Sequence, residues 1–367
     1  MQLSVALTSV LLWAATGAAP SRPREEPARG VRYAALPLRD HASSPGGRDV
    51  VQDRLVEALT GRGASFVDSE AVESVLHSRR VRYTDSLDAE TARAMCALTG
   101  ADYVLMGALL EYDPRVPPRV AISVRVLDGA NGERVLSSLC SASGADFTGA
   151  LAIGTIYEID ELTPEVIVRV LDAFGPDGGP LPAGEVEHEL PSPRPGRSYI
   201  EFQSPEFDPT SVKRVAVMPL IDRTEASGAG LLLADIFSHV WFLGADVQVV
   251  ELSELRQAMR LEGLRSIDEL DFERMRAIAA RVGTPFFQLG SVEVYQTDTP
   301  IDGEALPRAE VLVRILDVER ERVVAGVGLS RQGDDYTTVL GLGTVRDPIE
   351  LSRRTAAAAV ALLVRTP

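Results

Sequence analysis

Four histidines, two cysteines and a single lysine set narrow limits on the chemistry open to this chain. His41, His77, His188 and His239 never stand three or four residues apart, so no helix face can present two imidazoles to a metal. No H-E-x-x-H, G-x-S-x-G, Walker A stretch or EF-hand loop occurs. Lys213 is the only lysine, and a Schiff base or a phosphate-gripping amine would have to use it. It stands just before an apolar run and reads as a solvated strand-end charge. Gly341-Leu-Gly343 is a fragment of a dinucleotide fingerprint. Ala152-Ile-Gly154 repeats only its last glycine, which makes a shared backbone bend the better account. His188, between Glu187 and Glu189, belongs to a solvated charge run.

Carboxylates could do acid–base work without histidine, and two pairs recur along the chain. Asp40 and Asp222 each follow an apolar strand, and Asp128 and Asp317 each begin a hairpin turn. Short acidic side chains at such places bond the backbone of the turn, and that is the role expected of all four. Tyr112 and Tyr295 also recur, as packing aromatics at a strand end. Cys96 and Cys140 are either a disulfide or two buried small side chains, and too few ligands lie nearby for zinc. The sequence therefore assigns no catalytic, cofactor-binding or metal-binding residue, and the chain is not expected to be an enzyme.

These residues recur because the chain is written twice. Arg32-Tyr-Ala-Ala-Leu-Pro-Leu-Arg-Asp40 aligns with Arg214-Val-Ala-Val-Met-Pro-Leu-Ile-Asp222. Gly100 and Tyr112 fall on Gly283 and Tyr295, and Val124-Arg-Val-Leu-Asp128 falls on Val313-Arg-Ile-Leu-Asp317. Ordered matches with insertions confined to turns mark a duplication. Each unit reads β-α-β-α-α-β-β-β-α, which predicts an α/β fold of two duplicated sandwich domains, each a mixed sheet packed by helices. The expected boundaries are 31–174 and 212–367, joined by a Pro/Gly-rich linker over 175–211 with a short strand at Tyr199–Phe202. In the second unit, Ser253 is expected to cap the helix Glu254–Arg260 and Asp271 the helix Phe272–Val282.

Leu231–Leu243 predicts a helix that is apolar almost all round. Either it lies between the sheet and a second layer, or one face meets a partner. Leu231, Leu232, Phe237, Trp241 and Phe242 are the candidate interface residues. The chain as a whole has 37 Lys+Arg against 53 Asp+Glu, a net charge of −16, which disfavours a nucleic-acid partner. Residues 1–19 combine an apolar run, Val5 to Ala15, with small residues before Pro20, and are expected to be a signal peptide. No membrane span is expected beyond it.

The segments RVAVMPLID (214–222), VQVVELSELRQAM (247–259) and GADYVLMGALLEY (100–112) resemble the core strands of a family of bacterial envelope domains. These are the CsgG-like domains of the curli secretion channel, with relatives in the Tol-system propeller protein, in lipoprotein activators of penicillin-binding proteins and in flagellar ring-associated proteins. The resemblance covers both units and implies fold more than function, since the family carries no catalytic residues. It implies an exported protein, periplasmic or outer-membrane associated, that works as a protein–protein interaction or assembly module. Its implied partners are other envelope proteins or a second copy of itself, and its binding surface is Leu231–Leu243 or an exposed strand edge. A regulator of cell-wall synthesis that binds a penicillin-binding protein is the alternative within that class. A small-ligand binder or enzyme using the inter-domain cleft, lined by Asp40 or Asp222 with arginines, is the alternative outside it. The sequence departs from the channel members in two ways. It has no lipidated cysteine after the apolar segment, and the loops Asp113–Pro118 and Gln296–Pro307 are too short and polar for membrane hairpins, so no pore is expected.

Overall fold

A computed structural model describes residues 30–42, 46–147, 154–182, 198–224, 228–244, 247–264, 271–297, 300–301, 304–338 and 343–365. The first copy runs β1 (Arg32–Ala35), β2 (Arg39–Asp40), α1 (Gly47–Gly61), β3 (Ser65–Phe66), α2 (Ser69–Ser78), α3 (Ala89–Thr99), β4 (Tyr103–Asp113), β5 (Arg119–Asp128), β6 (Arg134–Ser143) and α4 (Ile159–Leu171). The linker contributes β7 (Ser198–Gln203). The second copy opens with β8 (Arg214–Val217), β9 (Ile221–Asp222), α5 (Ala229–Gly244), β10 (Gln248–Val249), α6 (Leu252–Leu261) and α7 (Phe272–Val282). It closes with β11 (Phe286–Gln296), β12 (Pro300–Ile301), β13 (Glu304–Ala305), β14 (Arg308–Asp317), β15 (Arg322–Gln332) and α8 (Pro348–Leu363).

The fold is α/β, with two mixed sheets packed by helices, and the two sheets share one topology. Strand order is β3-β1-β4-β5-β6 in the first and β10-β8-β11-β14-β15-β7 in the second, with β2 on β4 and β9 on β11. The short first strands pair in parallel and the long hairpins antiparallel. Even the irregularities recur: one bulge skips Leu110 in β4, and another skips its counterpart Glu293 in β11. Gly154 and Gly343 both sit at positive φ, where an added Cβ would press the carbonyl oxygens of Phe147 and Tyr336 at 2.8 and 2.7 Å, so the bend they share requires glycine.

Both faces of each sheet are covered where apolar side chains alternate along the strands. In the first sheet Leu105, Leu109, Ile122 and Val124 face α1 and α4, whereas Val104, Met106 and Leu127 face α2 and α3. In the second, Val311, Val313 and Ile315 face α5 and α8, and Phe287 and Leu316 face α6 and α7. The linker is tied down at both ends. The Tyr33 hydroxyl donates to the Gly178 carbonyl at 2.8 Å, and β7 adds to the edge of β15 from Ala325 to Leu329, as the expected strand at Tyr199–Phe202.

Of the two expected helix caps, one forms and one does not. Asp271 accepts from the Arg274 amide at 2.8 Å and caps α7 as expected. The expected cap Ser253 instead lies inside α6, which starts at Leu252 with Glu251 as its N-cap residue. The Ser253 amide is satisfied by Ser86 Oγ of the first copy at 2.9 Å, so a neighbouring domain supplies the cap that local sequence suggested Ser253 would make.

Candidate functional site: the seam between the two copies

The helix α5 is a layer shared by both sheets. Leu233, Phe237, Val240 and Trp241 are fully buried in a core that includes Val311 and Val313 of the second sheet together with Ala108, Leu110, Ala121 and Leu139 of the first. Of the candidate interface residues, Phe237, Trp241 and Phe242 are buried, and Leu231 and Leu232 are half-buried. The Trp241 indole N–H donates to Gln288 Oε1 at 2.5 Å, which satisfies its one polar atom inside the core. The expectation that this helix offers a face to another protein is therefore corrected. Its apolar circumference is consumed by two sheets of one chain, because burying both faces removes more apolar surface from water than leaving one exposed.

Charge is buried beside this packing. Arg125 of β5 and Arg134 of β6 have side chains only 5% and 1% exposed. They converge on Glu251, which accepts from Arg134 Nε at 2.7 Å and Nη2 at 2.6 Å and lies 3.4 Å from Arg125 Nη1. Arg125 also pairs with Asp235 of α5 and donates to the Asp85 carbonyl at 3.2 Å. Arg134 reaches Ser238 Oγ at 3.0 Å, and Ser137 Oγ lies 3.0 Å from His239 Nδ1. Such a seam costs heavily to desolvate and holds only while every partner is present.

A cavity of about 30 Å³ opens beside the pairs, with room for one or two waters. Its wall includes Arg39, His41, Asp85, Arg125, Asp235 and Arg256. The Tyr83 ring is held between two guanidiniums, Arg39 of the first copy at 4.6 Å and Arg256 of the second at 4.5 Å. Burial pushes the Asp85 carboxyl up, but His41, Arg39 and Arg125 outweigh it and hold the group at about 2. At the other end of the seam the sign reverses. Asp347, the N-cap of α8, is fully enclosed, and burial together with Glu111 of the first copy pushes it up to about 8. Tyr295 stands in the same cluster and is raised, first by burial and then by Glu111 and Asp347.

The recurrent residues singled out in the sequence are dispersed. Asp40 and Asp222 are exposed and bond their own turns, to the amides of Ala42 at 2.9 Å and Thr224 at 3.0 Å. Asp128 accepts from the Ala130 amide at 2.9 Å and Asp317 from the Arg320 amide at 3.1 Å. The cleft is thus lined by Asp85 and Asp235 with arginines, in place of the expected Asp40 or Asp222. Cys96 and Cys140 are both free, which removes the disulfide. Cys96 belongs to the α2–α3 side of the first sheet and Cys140 to the α1–α4 side, so the sheet itself separates the thiols. Burial pushes both up to about 11. Lys213 and His77 are exposed. His188, Gly341 and the segment 1–19 lie outside the described residues.

Sequence reasoning missed Arg125, Arg134, Asp85, Asp235 and Glu251. One signal was available for Arg125: it is the only charge in the strand stretch Val120 to Leu127, which is apolar apart from it and Ser123, where a charge is costly unless paired. Among the described residues no group of three or more His, Cys, Asp or Glu is placed to hold a metal. Among them, too, no helix is long and apolar enough to cross a membrane.

What the fold and seam define is a tandem α/β protein whose copies are joined by a shared helix and a buried ionic layer. No protein-family profile and no curated protein matches the chain. Solved structures do. A PelC dodecamer from Paraburkholderia phytofirmans is similar over 46% of this chain and 98% of its own, at 18% identity and a TM-score of 0.31. The LpoB C-terminal domain from Salmonella enterica is similar over 33% and 82%, at 15% identity and a TM-score of 0.26. The lipoprotein GNA1162 from Neisseria meningitidis is similar over 39% and 99%, at 14% identity and a TM-score of 0.27. TM-scores and identities this low carry no information on activity.

Proposed function

We propose that this chain is a non-enzymatic, exported protein of the bacterial envelope that acts by protein–protein contact, with the outer face of its second sheet as the working surface. One observation carries the reading. The first sheet's corresponding face is closed by α5, whereas on the second sheet Phe202 is 49% and Ile221 43% exposed, beside half-buried Leu289 and Leu312. Apolar groups spread across one uncovered sheet face, from β7 at one edge to β9 at the other, offer an interaction surface. Arg39 with Asp85 and Arg125 with Asp235 in the inter-copy cleft are engaged with one another, which supports a structural role for them over a catalytic one.

Crosslinking of the full chain in its native envelope tests this reading. A specific adduct with another envelope protein is the expected result, and only background adducts would overturn it. The sequence resemblance makes a penicillin-binding protein one expected partner. A pull-down that recovers envelope proteins but no peptidoglycan enzyme removes that identification.

A further inference from the structure

The two copies carry the same arginine in two different states. Arg125 and Arg314 hold one position in the repeated strand, and both face the side of their sheet away from the buried Val124 and Val313. Arg125 is covered by α5 and paired with Asp235 on it. Arg314 is exposed and has no hydrogen-bond or ion-pair partner among the described residues.

The surroundings of Arg314 correspond to the α5 dock residue by residue. The pairings Ser123–Leu139 and Arg125–Ser137 in the first sheet become Leu312–Gly328 and Arg314–Gly326 in the second. Arg39, paired with Ala108, becomes Ile221, paired with Ser291. Gly326 and Gly328 leave a low floor beside the exposed Phe202, which pairs with Gly326 from β7. No helix of the described chain is free to fill this dock as α5 fills the first. The positional counterpart of α5 is α1, whose outward residues include Arg48, Asp49, Asp53 and Glu57, and whose buried stripe already lies on the first sheet.

We infer that the face formed by Phe202, Ile221, Leu312 and Arg314 docks a helix of another protein, apolar on one side and carrying a carboxylate that meets Arg314 as Asp235 meets Arg125. The inference rests on the contact reading above and specifies its surface and the chemistry of the partner. Continuity with the dock already occupied in the same fold gives the shape, and the uncommitted guanidinium gives the charge.

The test places a photocrosslinking amino acid at Leu312 or Ile221 of the full chain in its native envelope, with control positions at Glu73 of α2 and Glu57 of α1. The crosslinked peptide is then sequenced. The expected adduct forms only from Leu312 or Ile221, on a helix-forming apolar segment that contains Asp or Glu. Arg314→Glu lowers its yield about tenfold or more, and reversing the partner's acid to Arg restores it. Adducts from the control positions alone would overturn the dock and the choice of the second sheet's outer face, while leaving action by protein–protein contact standing. Adducts only with a second copy of this chain, or a yield indifferent to Arg314→Glu, would also overturn it. Adducts from no position would overturn both readings. Equal thermal unfolding of Arg314→Glu and the parent excludes misfolding as the cause of a loss, and Arg314→Lys, which retains the charge, is expected to retain most of the yield.

Discussion

The two sheets of this protein share the order of their duplicated strands, one bulge position and a recurrent mid-strand arginine, yet one is sealed and the other open. Around Arg125 the neighbouring copy supplies Asp235, a helix and the rest of an ionic layer; around Arg314 no such layer exists among the described residues. The helices differ in the same sense. α1 buries a single stripe, Val51, Leu55 and Leu59, whereas α5 buries residues on every side from Leu233 to Phe242. Duplication therefore preserved the scaffold while the contacts diverged. A duplicated unit that docks on its twin has one face used and one face left over, and the charge pattern of the leftover face records how the used one works.

The sharpest way to break this comparison is to remove the carboxylate that two arginines share. Glu251→Ala leaves Arg134 and one side of Arg125 buried without compensation, and is expected to cost about 3–5 kcal/mol in denaturant unfolding. A loss below about 1 kcal/mol would show the seam to be solvated. Phe237→Ala, in the helix wedged between the sheets, is expected to cost about 3–4 kcal/mol. Val50→Ala on the exposed side of α1 should change stability by no more than about 0.5 kcal/mol.

Titration separates the two ends of the seam. Asp85 is held at about 2, below its ordinary value of 3.8, so its contribution is complete above pH 4 and is lost as pH falls through 2. Asp85→Asn should remove roughly 2 kcal/mol at neutral pH and flatten the acid limb of the stability profile. Asp347 has the opposite sign. A carboxyl pushed up to about 8 binds its proton more tightly in the folded state, so stability declines as pH rises from about 4 towards 8. Asp347→Asn should remove that decline, and an unchanged slope would place its cause elsewhere. The smallest effect is the most diagnostic: Arg314→Ala should change unfolding stability by no more than about 0.5 kcal/mol, where Arg125→Ala costs several. Equal losses at the two positions would end the distinction between sealed and open faces.

Much of the scaffold was legible because its signals are local. The nearly continuous apolar run from Val120 to Leu127, the cap at Asp271 and the Gly283 stop at φ 69° act within a few residues of themselves. The cap at Ser253 was misplaced because its true partner, Ser86, lies 167 residues away. The candidate site was less legible for the same reason. Recurrence drew attention to Asp40, Asp222, Asp128 and Asp317, which repeat because turns repeat. The seam residues Glu251 and Asp235 do have acidic counterparts in the first copy, Asp68 and Asp53, but those two are exposed, since only one copy docks on the other through these elements.

By itself the sequence determined the duplication, the order of elements in each unit, the turn roles of the paired aspartates and the all-round apolar character of Leu231–Leu243. Periodicity and short-range backbone chemistry suffice for these. Only the tertiary structure decided what covers that helix, which arginine is paired and which is left exposed, and that Cys96 and Cys140 face opposite sides of a sheet. The first two depend on how the two copies sit against each other, and the third on how one copy's strands and helices pack on the two faces of its own sheet. The arrangement of the copies is set by the sum of many contacts across the seam, and no single stretch of the chain encodes it.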